Sequence, residues 1–334
     1  MLLKQFADYL RTRQDSSFQV ALAAETDGEY SLPVAEPTIA PQAEIVEGGG
    51  MSSHHVGQPE GTRFTHFLDG IQDARRIGFY ESMAPIVYGF IGAAIRRRHD
   101  DRHMYTYDKV SREYLYFSFD HLDAGELRAA GLDPENASED NKDSGKTDVH
   151  PMRLLELARH KVSNNRAMRE RNLAEKWAVS CVDNEWMLWD GSITSSIEAS
   201  KHPRVVGVVK SHQTQYFGME DQRKILNLKV GERSSVFKPR GRDWSPVYSW
   251  YLRLHSNDGK DIYFGLVRVE AAAADTTISI ADEISRWLLA ERSPLSLPDS
   301  RWDRMIYPIR DCEQYLRSIA PSRIMIESAL AGVR

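Results

Sequence analysis

The sequence predicts an α/β protein built on one mixed β-sheet flanked by helices, and three stretches carry that expectation. "WMLWDG" and "RVVGVVK" are near-continuous apolar runs, the pattern of strands buried on both faces. "VYSWYLRLHSNDGKDIYFGLVRVE" reads as two alternating strands joined through Asn257-Asp258-Gly259, so at least one pair is antiparallel. "HPMRLLELARHKVSNNRAMRERNLAEKWAVSC" spaces Leu154, Leu155, Ala158, Met168, Leu173 and Trp177 at three- and four-residue steps, which is helical spacing, with Pro151 suited to a first turn. Interleaved strands and helices with a hairpin favour a mixed sheet over a purely parallel one.

Taken in order, residues 1–20 read as a short amphipathic helix, and residues 24–62 are rich in Pro, Gly, Glu and Ser and read as loop. The division expected is therefore an N-terminal helix and extended segment, 1–62, ahead of one domain, 63–334. "FTHFLDG" reads as a strand ending in a turn at Asp69-Gly70. "SMAPIVYGFIGAAIRRR" is a strand or helix with a basic end, and "EYLYFSF" an aromatic-rich strand. An acidic, turn-rich stretch at about 120–148 reads as a loop with a short helix at its start. "TISIADEISRWLLAE" and "DCEQYLRSIAPSRIMIESALAG" close the chain as helices.

The 334 residues carry a formal net charge of −5 and 41% hydrophobic residues, which suits a globular core and excludes a protein that coats polyanions through a global basic field. Two cysteines, Cys181 and Cys312, exclude a disulfide scaffold or a Cys-rich zinc site and fit a reduced, cytoplasmic setting. The longest apolar stretch, Met83 to Ile95, is shorter than the roughly 20 residues a membrane helix needs, and it contains Pro85 and two glycines. His54-His55 have no partners in the sequence pattern and read as incidental.

The chemistry-bearing pattern is an apolar strand running into Asp-Gly, twice: Phe67-Leu68-Asp69-Gly70 and Leu188-Trp189-Asp190-Gly191. One such dipeptide is usually a turn. Two, on neighbouring strands of one sheet, would bring two carboxylates to a crevice where they repel unless a cation lies between them. Hard Mg²⁺ or Mn²⁺ takes oxygen ligands of this kind. A third acid is expected from the helix before Asp190. Glu175 is preferred because Leu173 and Trp177 bracket it, and Glu170 is the alternative. Basic residues that would line a groove by contacting phosphates include Arg75, Arg76, the run Arg96 to Arg98, Lys238 and Arg240.

"FLDG", "LAEKW", "LWDGSI", "VVGVVKS" and "IYPIRDCEQYL", in that order from about Phe64 to Leu316, resemble the NurA nuclease family. The resemblance implies an RNase H-like mixed sheet flanked by helices and a Mn²⁺- or Mg²⁺-dependent DNA nuclease with a two-metal site. It also implies homodimers docked on a HerA-type hexameric ATPase, in end processing, repair or anti-phage defence. By the same resemblance Asp69, Glu175 and Asp190 hold metal, Lys210 stabilises the phosphate at the transition state, and Tyr307 contacts DNA. The chain departs from the pattern at Ile71, where a serine is frequent, and at Tyr315, where a histidine is usual; Asp311 is the substitute ligand. No GxxxxGK[ST] loop occurs, so any energy source lies in a partner. Two other readings compete: a catalytically weakened subunit that binds and regulates an ATPase ring, favoured by Tyr315, and an enzyme that cleaves small phosphoesters.

Overall fold

The computed structural model describes residues 2–12, 18–20, 38–39, 43–99, 104–138, 149–182, 184–240, 246–292 and 306–330. Helix α1 (Leu2–Thr12) is followed by four short strands, β1 (Phe18–Val20), β2 (Thr38–Ile39), β3 (Ala43–Ile45) and β4 (Ser53–His55). Three long strands come next: β5 (Phe64–Tyr80), β6 (Ala84–Arg98) and β7 (Met104–Phe117). After α2 (Ala124–Ala129) and β8 (Pro134–Asn136), the 30-residue helix α3 (Pro151–Ser180) returns the chain to the sheet. There β9 (Trp186–Asp190), α4 (Ile197–Lys201), β10 (Val205–Val209), β11 (Thr214–Gln215), α5 (Met219–Leu226), β12 (Glu232–Ser234) and β13 (Phe237–Pro239) follow. The hairpin β14 (Val247–Arg253) and β15 (Leu266–Ala272) precedes α6 (Asp275–Glu291), α7 (Tyr307–Ile319) and α8 (Arg323–Leu330).

One sheet runs in the order β3-β13-β14-β15-β10-β9-β5-β6-β7-β8. β9 pairs parallel with both β5 and β10, while β5-β6-β7 and β10-β15-β14 are antiparallel. This is the α/β mixed sheet flanked by helices that the sequence predicts. Its central strands are apolar on both sides because helices cover both faces. On one face Phe67, Leu188, Val206 and Val208 pack against α6 and α7 through Ile284, Leu288, Ile309 and Cys312. On the other, Leu68, Met187, Trp189 and Val205 pack against Leu173, Ala174 and Trp177 of α3.

Several local expectations are corrected. β5 does not end at Asp69-Gly70; it runs through them to Tyr80, paired with β6 from His66 to Tyr80. A three-residue loop, 81–83, with Glu81 and Ser82 at positive φ, closes this hairpin. The Met83 to Ile95 stretch is strand, not helix, because both faces of β6 are covered. The N-terminal helix stops at Thr12, and Phe18–Val20 pairs with the far end of β5. Described parts of the 1–62 segment join the same sheet, with β3 on β13 and β4 on β12. Much of the acidic stretch, residues 139–148, lies outside the described residues, as do parts of the 24–62 segment.

The α5–β15 region is organised around one side chain. Arg253 is fully buried, and its guanidinium donates to the backbone carbonyls of Leu226, Leu228, Ile262 and Phe264. No carboxylate contacts it among the described residues; the loop carbonyls take its donors instead.

Candidate functional site

Strand register decides which acids meet. Leu68 lies opposite Trp189, and β5 and β9 are parallel, so Asp69 and Asp190 are neighbours at the same level. Asp190 pairs across to Val208 on β10, and Lys210, two residues on, reaches back with its Nζ 2.6 Å from Asp190 Oδ2. Asp190 is the last residue of β9, and the chain turns away through Gly191 at φ +143, a conformation that side chains strain to adopt. Glu270 of β15 holds that turn: its Oε2 accepts from Ser192 Oγ at 2.8 Å and from the Ile193 N–H at 3.0 Å. Glu270 is itself paired with Arg268.

Of the two helical acids, Glu170 is the one that reaches the strand pair, and Glu175 does not. Glu170 is buried on α3 directly beneath Gly70, where a Cβ would collide with its carboxylate; this close approach is what Gly70 permits. Arg166, one turn earlier, pairs with it, and Trp189 Nε1 donates to its Oε2 at 3.3 Å. Glu175 instead lies on a half-exposed flank, 3.7 Å from Arg171, and contacts none of the strand acids. The helical period explains the difference: Glu170, Leu173 and Trp177 recur at i, i+3 and i+7 and share one buried stripe, which Glu175 leaves.

Electrostatics bind the cluster together. Burial, then the nearby Asp190 and Glu170 carboxylates, push the Asp69 carboxyl well above the usual range, against the pull of Lys210. Glu170 is raised by burial and by Asp190, with Arg166 and Trp189 opposing. Burial alone would lower the Lys210 ammonium, but Asp190, Asp69 and Glu313 outweigh it and hold it above an ordinary lysine. Glu313, on α7, was invisible to sequence reasoning because only the packing of α7 turns it toward Lys210.

The remaining expected residues are distributed otherwise. Asp311 forms an ion pair with Arg96 at 2.7 Å. Tyr315 accepts from Lys109 Nζ at 2.6 Å, and that ammonium holds its phenol below an ordinary tyrosine. The run Arg96 to Arg98 is structural: strand alternation splits it between faces, and each member has a carboxylate, Asp311, Glu185 and Glu291 respectively. Arg75 pairs with Asp73, while Arg76 lies over the Phe79 ring. Lys238 and Arg240 are at or beside β13, five strands from β5 or roughly 24 Å, away from the acids. Tyr307 opens α7, and its side chain lies outside the described part. His54 is no stray: its Nε2 lies 3.1 Å from Ser52 Oγ and 3.2 Å from Ser235 Oγ, clasping β4 to β12. Cys312 is buried, donates to the Phe67 carbonyl, and has its thiol pushed well up by burial, so it is no nucleophile.

No family model and no curated protein matches the chain. Among solved structures, the NurA nuclease from Sulfolobus solfataricus is similar with a TM-score of 0.46 and 11% sequence identity, over 86% of this chain and 84% of that one. A likeness that distant assigns neither family nor activity.

Asp69 and Asp190, on the face covered by α6 and α7, are hard-oxygen donors of the kind Mg²⁺ and Mn²⁺ accept, while Glu170 approaches beneath Gly70 from the α3 face. Among the described residues, no three acids, histidines or cysteines are already gathered as a metal-holding group. Lys210 and Arg166 supply the positive charge to Asp190 and Glu170 instead. No helix among the described residues is long and apolar enough to cross a membrane.

On the α3 face, His66 is fully buried between the Tyr107 and Trp177 rings, and its Nε2 has no partner among the described residues. Burial, then the Arg97 charge, lower its pKa to about 3. Above the unfolded value near 6.5 neither state holds the proton, and the fold is unpenalised. As pH falls from about 6.5 toward 3, the unfolded chain takes up a proton that the folded chain refuses. Stability is therefore expected to fall by up to about 1.4 kcal/mol per pH unit from this one group. Urea denaturation between those limits checks it: His66→Phe should flatten the dependence, and an equal slope in the variant would place the acid sensitivity elsewhere.

Proposed function

We propose that this chain is a divalent-metal-dependent nuclease acting on DNA. The observation that carries the reading is the register that makes Asp69 and Asp190 neighbours on parallel strands, with Glu170 beneath Gly70. Asp69, Asp190 and Glu170 would hold Mg²⁺ or Mn²⁺. Bound there, such an ion supplies an activated water and charge stabilisation at phosphorus. Lys210, about a third open to solvent at 30%, is within reach of the same space and can neutralise a phosphate oxygen once it leaves Asp190. Gly191 and the Glu270 clasp keep Asp190 aimed from the strand's end. By the motif resemblance, a HerA-type hexameric ATPase and a homodimer are the partners to seek.

The two helical acids separate this reading from a fold-only account. With Mn²⁺ and linear DNA, Glu170→Gln is expected to lower the cleavage rate by about 10²-fold or more. Glu175→Gln is expected to cleave as the wild type does. If the effects are reversed, the third acid is misassigned. If neither the wild type nor any variant cleaves, the enzyme reading is lost.

A second reading has its own support. Lys210 already neutralises Asp190, and Lys109 binds the phenol of Tyr315 where a histidine would be a better ligand. These favour a weakened subunit that binds and regulates an ATPase ring. Binding to such a ring without metal-dependent cleavage, even with the ring present, selects it.

A further inference from the structure

Lys210 poses a problem of charge at the acid pair. Its ammonium lies 2.6 Å from Asp190 Oδ2, on the carboxylate that a divalent ion between Asp69 and Asp190 would need. Two cations on one carboxylate repel each other, so the ammonium must move as an ion arrives. The layer beneath it is apolar, built from Phe67, Val206 and Val208, and an unpaired charge cannot enter it. A second acid has to receive it.

Glu313 of α7 is placed to do so. Ile309, Cys312, Glu313 and Leu316 recur at i, i+3, i+4 and i+7, which is one stripe of the helix. The three apolar members are buried, and Cys312 Sγ donates to the Phe67 carbonyl at 3.1 Å, two residues before Asp69. Ile309 and Cys312 also share a cluster with Val208, two residues before Lys210. Glu313 and Lys210 therefore stand at the same edge of this apolar layer, and the Glu313 charge is among those that hold the ammonium above an ordinary lysine. Glu313 is bonded on one side only. Arg317 donates to it through Nε at 3.0 Å and Nη2 at 2.8 Å, both to Oε1, and Oε2 has no donor among the described residues. The other acids nearby are engaged: Asp311 with Arg96, and Glu170, on the α3 face, with Arg166.

We propose that Glu313 is a positioning residue that receives the Lys210 ammonium when a divalent ion takes Asp190. The inference rests on the metal-dependent nuclease reading and deepens it. Only ion pairs are exchanged: Lys210 passes from Asp190 Oδ2 to the open Oε2 of Glu313, and no covalent bond or proton changes hands. Lys210 thereby turns from a competitor of the ion into a cation beside it. An ammonium has three donors, so Lys210 held by Glu313 keeps two for a phosphate oxygen.

The test is Mn²⁺ binding to the full chain without DNA, read from the loss of the free-ion electron paramagnetic resonance signal during titration. Glu313→Gln is expected to weaken Mn²⁺ affinity by about three- to ten-fold, because Lys210 then has no acid to move to. Lys210→Gln removes the competing ammonium and is expected to tighten it. The double variant decides: in the Lys210→Gln background, Glu313→Gln should change the affinity by less than about two-fold. Glu220→Gln, an exposed acid of α5, is the control and should match the wild type. Equal affinity of Glu313→Gln and the wild type, or weaker binding by Lys210→Gln, overturns the exchange. So does an undiminished loss in the Lys210→Gln background, which would mean that Glu313 acts on the ion directly. A wild type that binds no Mn²⁺ removes the metal reading and the exchange with it. A wild type that binds Mn²⁺ with the expected pattern of variants but cleaves no DNA keeps the exchange and loses the nuclease.

Discussion

Asp69→Asn is expected to raise the stability of the fold while abolishing cleavage, whereas Asp190→Asn is expected to abolish cleavage and lower stability. Both follow from one electrostatic arrangement. Asp69 is a buried carboxyl with Asp190 and Glu170 close by, so its ionised form is penalised by desolvation first and by like charge second. An amide of the same shape removes that penalty, so the expected change at neutral pH is stabilisation. The sign with pH is specific. The folded pKa lies above the unfolded one, so the stability linked to Asp69 is full below about 3.8 and is lost as pH rises through the folded value. The gain from Asp69→Asn should therefore appear at neutral pH and vanish in acid. Asp190 is the opposite case, since it is the hydrogen-bonded counterion of Lys210; its loss leaves a largely enclosed ammonium short of its nearest partner. Cleavage in either variant should fall by at least about 10²–10³-fold. Melting temperature and initial rate on one preparation of each variant check the contrast. Two variants that shift stability in the same direction would show that the pair does not share charge as described.

The second large effect is predicted away from the acids. Arg253→Met is expected to destabilise the protein by on the order of 3–5 kcal/mol, among the larger values for a single substitution. Methionine can fill much of the volume, but it leaves the carbonyls of Leu226, Leu228, Ile262 and Phe264 without donors in a buried setting. Each orphaned acceptor costs about 1–3 kcal/mol when water cannot reach it. In urea the transition midpoint should fall with the slope unchanged, and Arg253→Lys should recover part of the loss. A change below about 1 kcal/mol would mean that water replaces the guanidinium.

Much of this arrangement could be read from sequence where a single physical constraint dominates. "WMLWDG" and "VVGVVK" are buried on both faces and say so in their composition. Asp190 also stood out, because the apolar run ends with the strand. Asp69 was harder: Asp-Gly looks like a strand's end, yet pairing to β6 overrides the turn preference and carries β5 onward. The helical acid has a signal in its spacing. Bracketing by Leu173 and Trp177 favoured Glu175, while the three- and seven-residue steps that join Glu170 to the same two residues point to the buried stripe. The arginine run failed as a groove because alternation in a strand sends neighbours to opposite faces, a consequence of its being strand and not helix. Glu313 carries no local pattern; it comes near Lys210 only through the packing of α7.

The two strand acids differ in how much freedom their backbones retain. Asp69 sits in mid-span, with β6 beside it along the whole hairpin and β9 at its other edge up to its level. Asp190 sits at a terminus, followed by a glycine and tethered two residues later to Glu270. Any adjustment to the size of what binds between them must therefore be made by the Asp190 side, as a hinged jaw closes on a fixed one. If a metal ion binds between them as proposed, the tolerated radius would be governed by the Gly191-Ser192 turn and its clasp rather than by the strand that holds Asp69.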